Sequence, residues 1–333
     1  MTFTTLDVIG IGNAIVDVLT QTDDSFIAEN QINKGTMTLI ESEQAEELYT
    51  KLGQAIEVSG GSAANTIAAL ASMGGDCGFV GKVADDQLGN VFVHDIMAVG
   101  AKYDTAPLSD GLPTARCLIM VTPDAERTMC TFLGASVWIT PTDIKPEFIQ
   151  SAKVVYLEGY LFDRPKAKLA FLKAAELAHE AGRKVALSLS DPFCVDRHRD
   201  EFLDLIENHI DILFANKDEL MSLFKTKNFD EAIDQIKGKC EIVAITKSSE
   251  GSVILTEKEE FNIPSINVQR VVDTTGAGDL YAAGFLYGYT QGEPLQVCGK
   301  YATIMATEVI QQMGARVQGD LSRLIEKKKI VNG

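Results

Sequence analysis

The segment Val271-Val272-Asp273-Thr274-Thr275-Gly276-Ala277-Gly278-Asp279 sets two carboxylates around a run of small residues. An apolar strand end would pass here into a helix continuing through Leu280 to Tyr289, with Ala282, Ala283 and Gly284 as a slim face. Small residues at a helix start let backbone N–H groups converge on an anion, and the helix dipole favours negative charge there. A carboxylate beside bound phosphates would be repelled, so Asp279 needs a reason to be present. One reason is base catalysis: in phosphoryl transfer an aspartate accepts the proton of the attacking hydroxyl, while amides and Mg2+ offset charge on the moving group. The plainer reading is an aspartate that only caps a helix in a glycine-rich turn.

Two other glycine motifs fail their tests. Gly10-Ile11-Gly12-Asn13-Ala14-Ile15 begins like a dinucleotide fingerprint, but Ile15 stands where the third small residue is required. Gly81-Lys82 lacks the upstream glycine (Asp76 is there) and a following Ser or Thr, so it is no P-loop. The six cysteines are scattered without a C-x-x-C pair, and the four histidines form no H-E-x-x-H, which argues against a disulfide framework and a zinc hydrolase. A net charge of −17 disfavours nucleic acid and anionic membranes as partners, while leaving room for a small anion held locally. The first basic residue is Lys34 and no apolar run reaches spanning length, so a cytoplasmic location is expected.

The elements that must position these residues alternate. Leu6–Ile11, Lys153–Leu157, Val185–Leu189, Ile210–Phe214 and Glu241–Thr246 read as strands; 62–73 and Lys166–Ala181 read as helices stopped by glycine. That rhythm predicts an α/β fold with a doubly wound, mostly parallel sheet flanked by helices. Two segments break it: 19–49, with a short apolar run Met37–Ile40, and 106–134, a hairpin of Arg116–Thr122 and Arg127–Leu133. Strands need partners, so these insertions are expected to build a small β-lid. The large catalytic unit would then hold 1–18, 50–105 and 135–333, with 19–49 and 106–134 as the lid over the acceptor site.

Over essentially its whole length the chain resembles the PfkB (ribokinase-like) carbohydrate kinases, and within them the bacterial adenosine kinase type. Asp273 to Leu286 meets the family's carboxy-terminal signature; Gly60-Gly61-Ser62-Ala63-Ala64-Asn65 carries the amino-terminal one, with Ile67 where a small residue is usual. The resemblance implies Asp279 as the base and the amides of Gly276, Ala277 and Gly278 as an anion hole. Asn216-Lys217-Asp218-Glu219 is similar to the family's Asn-x-x-Glu element, which implies Glu219 and Asn216 organising Mg2+ and phosphates through water. By its residues alone it would be an ordinary helix start. Thr246 to Gly251 resembles the nucleotide-phosphate loop, with Ser248 where the family has a first glycine.

For the acceptor, the resemblance implies Asn13 and Asp17 at the sugar, Asp17 binding vicinal hydroxyls bidentately, with Gly60, Gly61 and Asn65 beside it. Phe132, Leu133 and Met37 would form an apolar slot for a base, or would only seal the lid. Arg127 would reach the phosphates or stand exposed on the hairpin, and both readings stay open. The expected reaction is transfer of the ATP γ-phosphoryl to the 5′-hydroxyl of adenosine, with Mg2+ required and room for a monovalent cation near Asp273. The alternatives are a kinase for ribose, fructose or another nucleoside, and a non-catalytic nucleotide or nucleoside binder. Oligomeric state stays open between monomer and homodimer.

Overall fold

Leu6–Ile11 (β1) is buried at every position, as a central parallel strand covered on both faces must be. The other strands of the first half are Ile15–Gln21 (β2), Met37–Leu39 (β3), Ala55–Gly60 (β4), Cys77–Val80 (β5), Lys102–Tyr103 (β6), Ala115–Val121 (β7) and Arg127–Phe132 (β8). The second half adds Ala152–Glu158 (β9), Lys184–Ser188 (β10), Ile212–Asn216 (β11), Ile242–Thr246 (β12), Ser252–Leu255 (β13) and Glu260–Ile263 (β14). Helices between them are Asp24–Glu29 (α1), Ser42–Lys51 (α2), Ser62–Ser72 (α3), Gln87–Ala98 (α4), Pro146–Gln150 (α5) and Pro165–Glu180 (α6). Pro192–His209 (α7), Lys217–Leu223 (α8), Phe229–Ile236 (α9), Ala277–Thr290 (α10) and Leu295–Val309 (α11) follow. This computed structural model describes residues 6–124, 126–317, 319, 321, 322 and 324, with Ala125 of the hairpin turn and the side chain of Asp163 outside it.

The large sheet runs β14-β13-β12-β11-β10-β9-β1-β5-β6. Seven of its strands are parallel, and β13 and β14 join antiparallel at one edge. Alternating side chains feed two cores. Val8, Tyr156, Ala186, Phe214 and Ala244 pack with α3, α10 and α11; Ile9, Val155, Leu187, Leu213 and Val243 pack with α6, α7 and α8 on the other face. From β1 the chain proceeds to β5 on one side and β9 on the other. In such a sheet ligands bind outside the carboxyl ends of the strands at that reversal. Gly10 belongs to this packing: a Cβ there would lie 2.6 Å from Cγ1 of Ile67, so the glycine in β1 makes room for the large residue in α3.

Two expectations are corrected. The small sheet has five strands in the order β3-β8-β7-β2-β4, so it takes in Ala55–Gly60 and the whole of Ile15–Gln21, whereas 55–60 and 15–18 were expected in the large unit. Only three residues separate β1 from β2, and β2 finds its partners in β4 and β7 rather than beside β1. Val271 and Val272 form no strand: they are 52% and 38% exposed, and the Val272 N–H bonds instead to the Ile310 carbonyl at the end of α11. Among the described residues no helix is long and apolar enough to cross a membrane.

Candidate active site

Helix α10 starts at Gly276, which adopts a left-handed φ of 78°. A Cβ there would stand 2.7 Å from Cβ of Ala315, so the position takes glycine for both conformation and space. Gly278, two residues on, faces open space, which leaves its backbone approachable by a ligand. The three expected amides are not equivalent. The Ala277 N–H already bonds to the Thr274 carbonyl at 3.1 Å, because the turn before the helix closes on it. Gly276 and Gly278 remain as the donors of the expected anion hole.

Asp279 does not cap its helix. Its carboxylate instead accepts from Oγ of Ser62 at 2.6 Å and from Nδ2 of Asn65 at 3.0 Å, while Thr66 Oγ1 donates to its backbone carbonyl at 3.1 Å. All three partners lie on α3, within about one helical turn. Burial pushes the Asp279 carboxyl up to about 6, against the opposing pull of Ser62, Asn65 and Arg316. A carboxylate so held is an anion near neutral pH and a usable proton acceptor.

Behind α3 stands Glu158 at the carboxyl end of β9, which the sequence reading missed. It is 1% exposed and accepts from the Ala63 N–H at 2.8 Å and from Asn13 Nδ2 at 2.6 Å. Gly61, at the start of α3, has no side chain with which to cap it, so Glu158 supplies that acceptor from another strand. Burial raises its carboxyl to about 7 against the bonds from Ala63 and Asn13. The available signal was an acid closing an apolar strand, Val154 to Glu158. The same contacts correct Asn13: it is 2% exposed, its amide donates to Glu158 and its oxygen accepts from Ser136 Oγ, so it supports the floor of the site rather than a substrate.

Cross-strand register defines the face that the small sheet turns toward this helix start. One row reads Val58, Asp17, Cys117, Thr131, Leu39; the next reads Ile56, Leu19, Ile119, Met129, Met37. Asp17 lies against Gly60, where a Cβ would come 2.5 Å from its Cγ. Gly61, at φ 99°, sits on the Asn13 carbonyl. Burial lifts the Asp17 carboxyl to about 6, with Arg316 and Arg127 opposing and Asp279 adding to it. Phe132 is corrected by the two-residue period. It is 4% exposed on the opposite, helix-covered face with Arg116, which pairs with Glu46 of α2, so it does not line the cleft.

Arg127 is not an exposed hairpin residue. Its Nη1 pairs with the Asp273 carboxylate and donates to Thr275 Oγ1 at 2.6 Å. Its Nε and Nη2 are buried without a partner. Guanidinium N–H groups not engaged within the protein can donate to an anion. Burial works against the charge on Asp273, yet bonds from Thr275 and Gly314, with Arg127 beside it, hold its carboxyl below the usual value.

The expected nucleotide residues gather at the carboxyl ends of β11 and β12. Asn216 and Glu219 form a reciprocal capping box on α8: Asn216 Nδ2 and N–H donate to the Glu219 carboxylate at 2.6 and 2.8 Å. Burial raises Glu219 to about 7, opposed by the Asn216 bond and aided by Asp191 and Asp218. Thr246 ends β12, and Ser248 holds a φ of 51°, the left-handed conformation a glycine would take without strain. Gly251, at φ 89°, is fixed by the loop itself, since a Cβ would run into the Ile263 carbonyl. Among the described residues no three His, Cys, Asp or Glu side chains could cage a metal. Mg2+ keeps several waters and takes few carboxylates from protein, so a lone Glu219 beside Asn216 would suit an ion carried by phosphates and water.

Residues 35–320 match the profile of the pfkB family carbohydrate kinases. The chain belongs to this family. As a PfkB kinase it is a phosphotransferase that acts on a hydroxyl group of a nucleoside or a sugar, and membership implies ATP as donor with Mg2+. A probable sugar kinase protein from Rhizobium etli CFN 42 is 49% identical, covering 98% of this chain and 99% of that one, with a TM-score of 0.90. An adenosine kinase from Sinorhizobium meliloti is 48% identical over 97% and 99% of the two chains, with a TM-score of 0.89. Among curated relatives an aminoimidazole riboside kinase from Salmonella typhimurium is 30% identical over 70% of this chain and 74% of its own length.

Proposed function

We propose that this kinase transfers the γ-phosphoryl group of ATP to the 5′-hydroxyl of adenosine. The observation that carries the acceptor is the apolar row beside Asp17. Ile56, Met37 and Leu39 are 68%, 52% and 59% exposed on the face that also carries the diol-binding carboxylate. Ile56 stands on one edge strand and Met37 on the other, joined across the sheet by Leu19, Ile119 and Met129, and an apolar row running beside a polar anchor suits a flat base attached to a ribose. A free sugar would leave them in water. The adenosine kinase at 48% identity supports this reading; the neighbour described as a probable sugar kinase keeps a free-sugar acceptor as the second one.

Asp279 takes the proton of the 5′-hydroxyl as its oxygen bonds to the γ-phosphorus, the bond to the bridging oxygen breaks, and ADP leaves with that electron pair. Gly276 and Gly278 donate N–H groups to the transferring oxygens, and Arg127 turns its two unpaired nitrogens to them. Mg2+, when bound, offsets charge on the phosphates, with Asn216 and Glu219 near its water shell. Asp273 becomes available to a monovalent cation only once Arg127 leaves it, and a K+ titration of initial rates tests that order.

An acceptor panel read by ADP release decides the substrate. Adenosine should exceed ribose in kcat/KM by on the order of 10²-fold, the scale of burying one aromatic base. A preference for ribose or fructose rejects adenosine and leaves the kinase intact.

A further inference from the structure

The loop after α11 touches the site at three points. Gly314 N–H donates to Asp273 at 2.8 Å, Ala315 packs on Gly276, and Arg316 reaches across to the small sheet. There its Nε and Nη2 both bond the Ser59 carbonyl, at 3.1 and 2.9 Å, and Nη2 also bonds Ser59 Oγ at 2.8 Å. Ser59 is anchored from its other side, donating through N–H and Oγ to Asp95 of α4 at 2.8 and 2.5 Å. The next two residues are Gly60 and Gly61. We propose that Arg316 is a positioning residue of the phosphoryl-transfer site. It ties the Ser59–Gly61 turn of the small sheet to the start of α10 and supplies the positive charge that Asp17 and Asp279 share.

Two observations separate this from a plain structural clamp. Arg316 Nη1 is buried without a partner, whereas a completed clamp would leave no N–H unpaired. The charges facing Arg316 come from three elements: Asp17 on β2, Asp95 on α4 and Asp279 on α10. Asp279 is in turn felt by Asp17, by Glu158 and by the phenols of Tyr156 and Tyr160, none of which is positive. Arg127 acts on Asp17 from the other side. Two half-buried carboxylates around one acceptor repel each other, and Arg316 is the cation that offsets both.

The proposal rests on Asp279 as the base and not on adenosine, so the assay uses whichever acceptor the unsubstituted enzyme prefers. For Arg316→Gln in the full chain, kcat/KM is measured from about pH 5 to 9 beside ATP binding and thermal unfolding. At neutral pH it should fall about 10²-fold with ATP affinity within about twofold, and the acid limb should move to higher pH. Arg316→Lys keeps the charge without the forked contact to Ser59, so its acid limb should return while the acceptor KM stays raised. An unmoved acid limb in Arg316→Gln, or an unchanged acceptor KM in both variants, overturns the proposal. If Arg316→Gln does not fold, Asp95→Ala carries the test: it releases Ser59 from α4, and an unchanged acceptor KM overturns the tie. No turnover of any acceptor by the unsubstituted enzyme would instead refute the reading of Asp279.

Discussion

Asp279→Asn should cut kcat by about 10³-fold and leave ATP binding in place, because it removes the proton acceptor and almost nothing else. The amide can be accommodated. Asn65 Oδ1 is buried without a partner, so a flip of the Asn65 side chain offers that oxygen to the new N–H2 group. The pH dependence follows from the carboxyl at about 6. The unsubstituted enzyme loses activity as pH falls through that value, because the base becomes protonated, and the variant should lose this limb. Stability moves the opposite way. A folded-state value above the unfolded one means that the native state holds a proton the unfolded chain releases, so stability is lost as pH rises between about 4 and 6. A neutral amide is spared that loss, and the variant should unfold at a higher temperature than its parent at about pH 8, with no gain at about pH 3. Near-normal turnover in the variant would remove Asp279 from the base role.

The second large effect is expected at Arg127. Arg127→Gln should lower kcat by on the order of 10²–10³-fold while acceptor KM changes little, since a guanidinium that meets the transferring oxygens acts late in the reaction. Arg127→Lys should recover little of this, because a lysine carries one point of charge where Arg127 presents two unpaired nitrogens. Single-turnover rates separate the outcomes. If Arg127 served only to neutralise Asp273 in the folded chain, the loss would appear as a lowered unfolding temperature with normal kcat.

Much of the large sheet was legible because buried parallel strands are apolar runs of fixed length between helices with glycine stops. Leu6–Ile11, Lys153–Leu157 and the hairpin at 116–133 could be placed from their own residues. The small sheet was harder. Ile15–Gln21 and Ala55–Gly60 show no mark of which sheet they join, because that depends on partners tens of residues away. Phe132 was set on the wrong face because its aromatic type suggested a base slot, whereas the two-residue period of β8 decides its direction. Val271 and Val272 look like a strand, but the Val272 and Asp273 N–H groups are taken by the Ile310 carbonyl at the end of α11 instead of a neighbouring strand. In the site, Asp279 stood out because its neighbours are small and contiguous. Glu158, Ser62 and Arg316 act across 95 to 257 positions, and no local spacing announces them.

Three residues of α3 hold a single residue of α10, across 217, 214 and 213 positions of chain. At the usual ~5–20 residues per second of synthesis, α3 waits on the order of 10–40 s for its partner to emerge. During that interval the strands from β1 to β14 can assemble without the proposed base. On that proposal catalytic competence arrives late, when α10 docks on α3. A ribosome that stalls before residue 277 would then leave a fragment with the sheet strands and no Asp279.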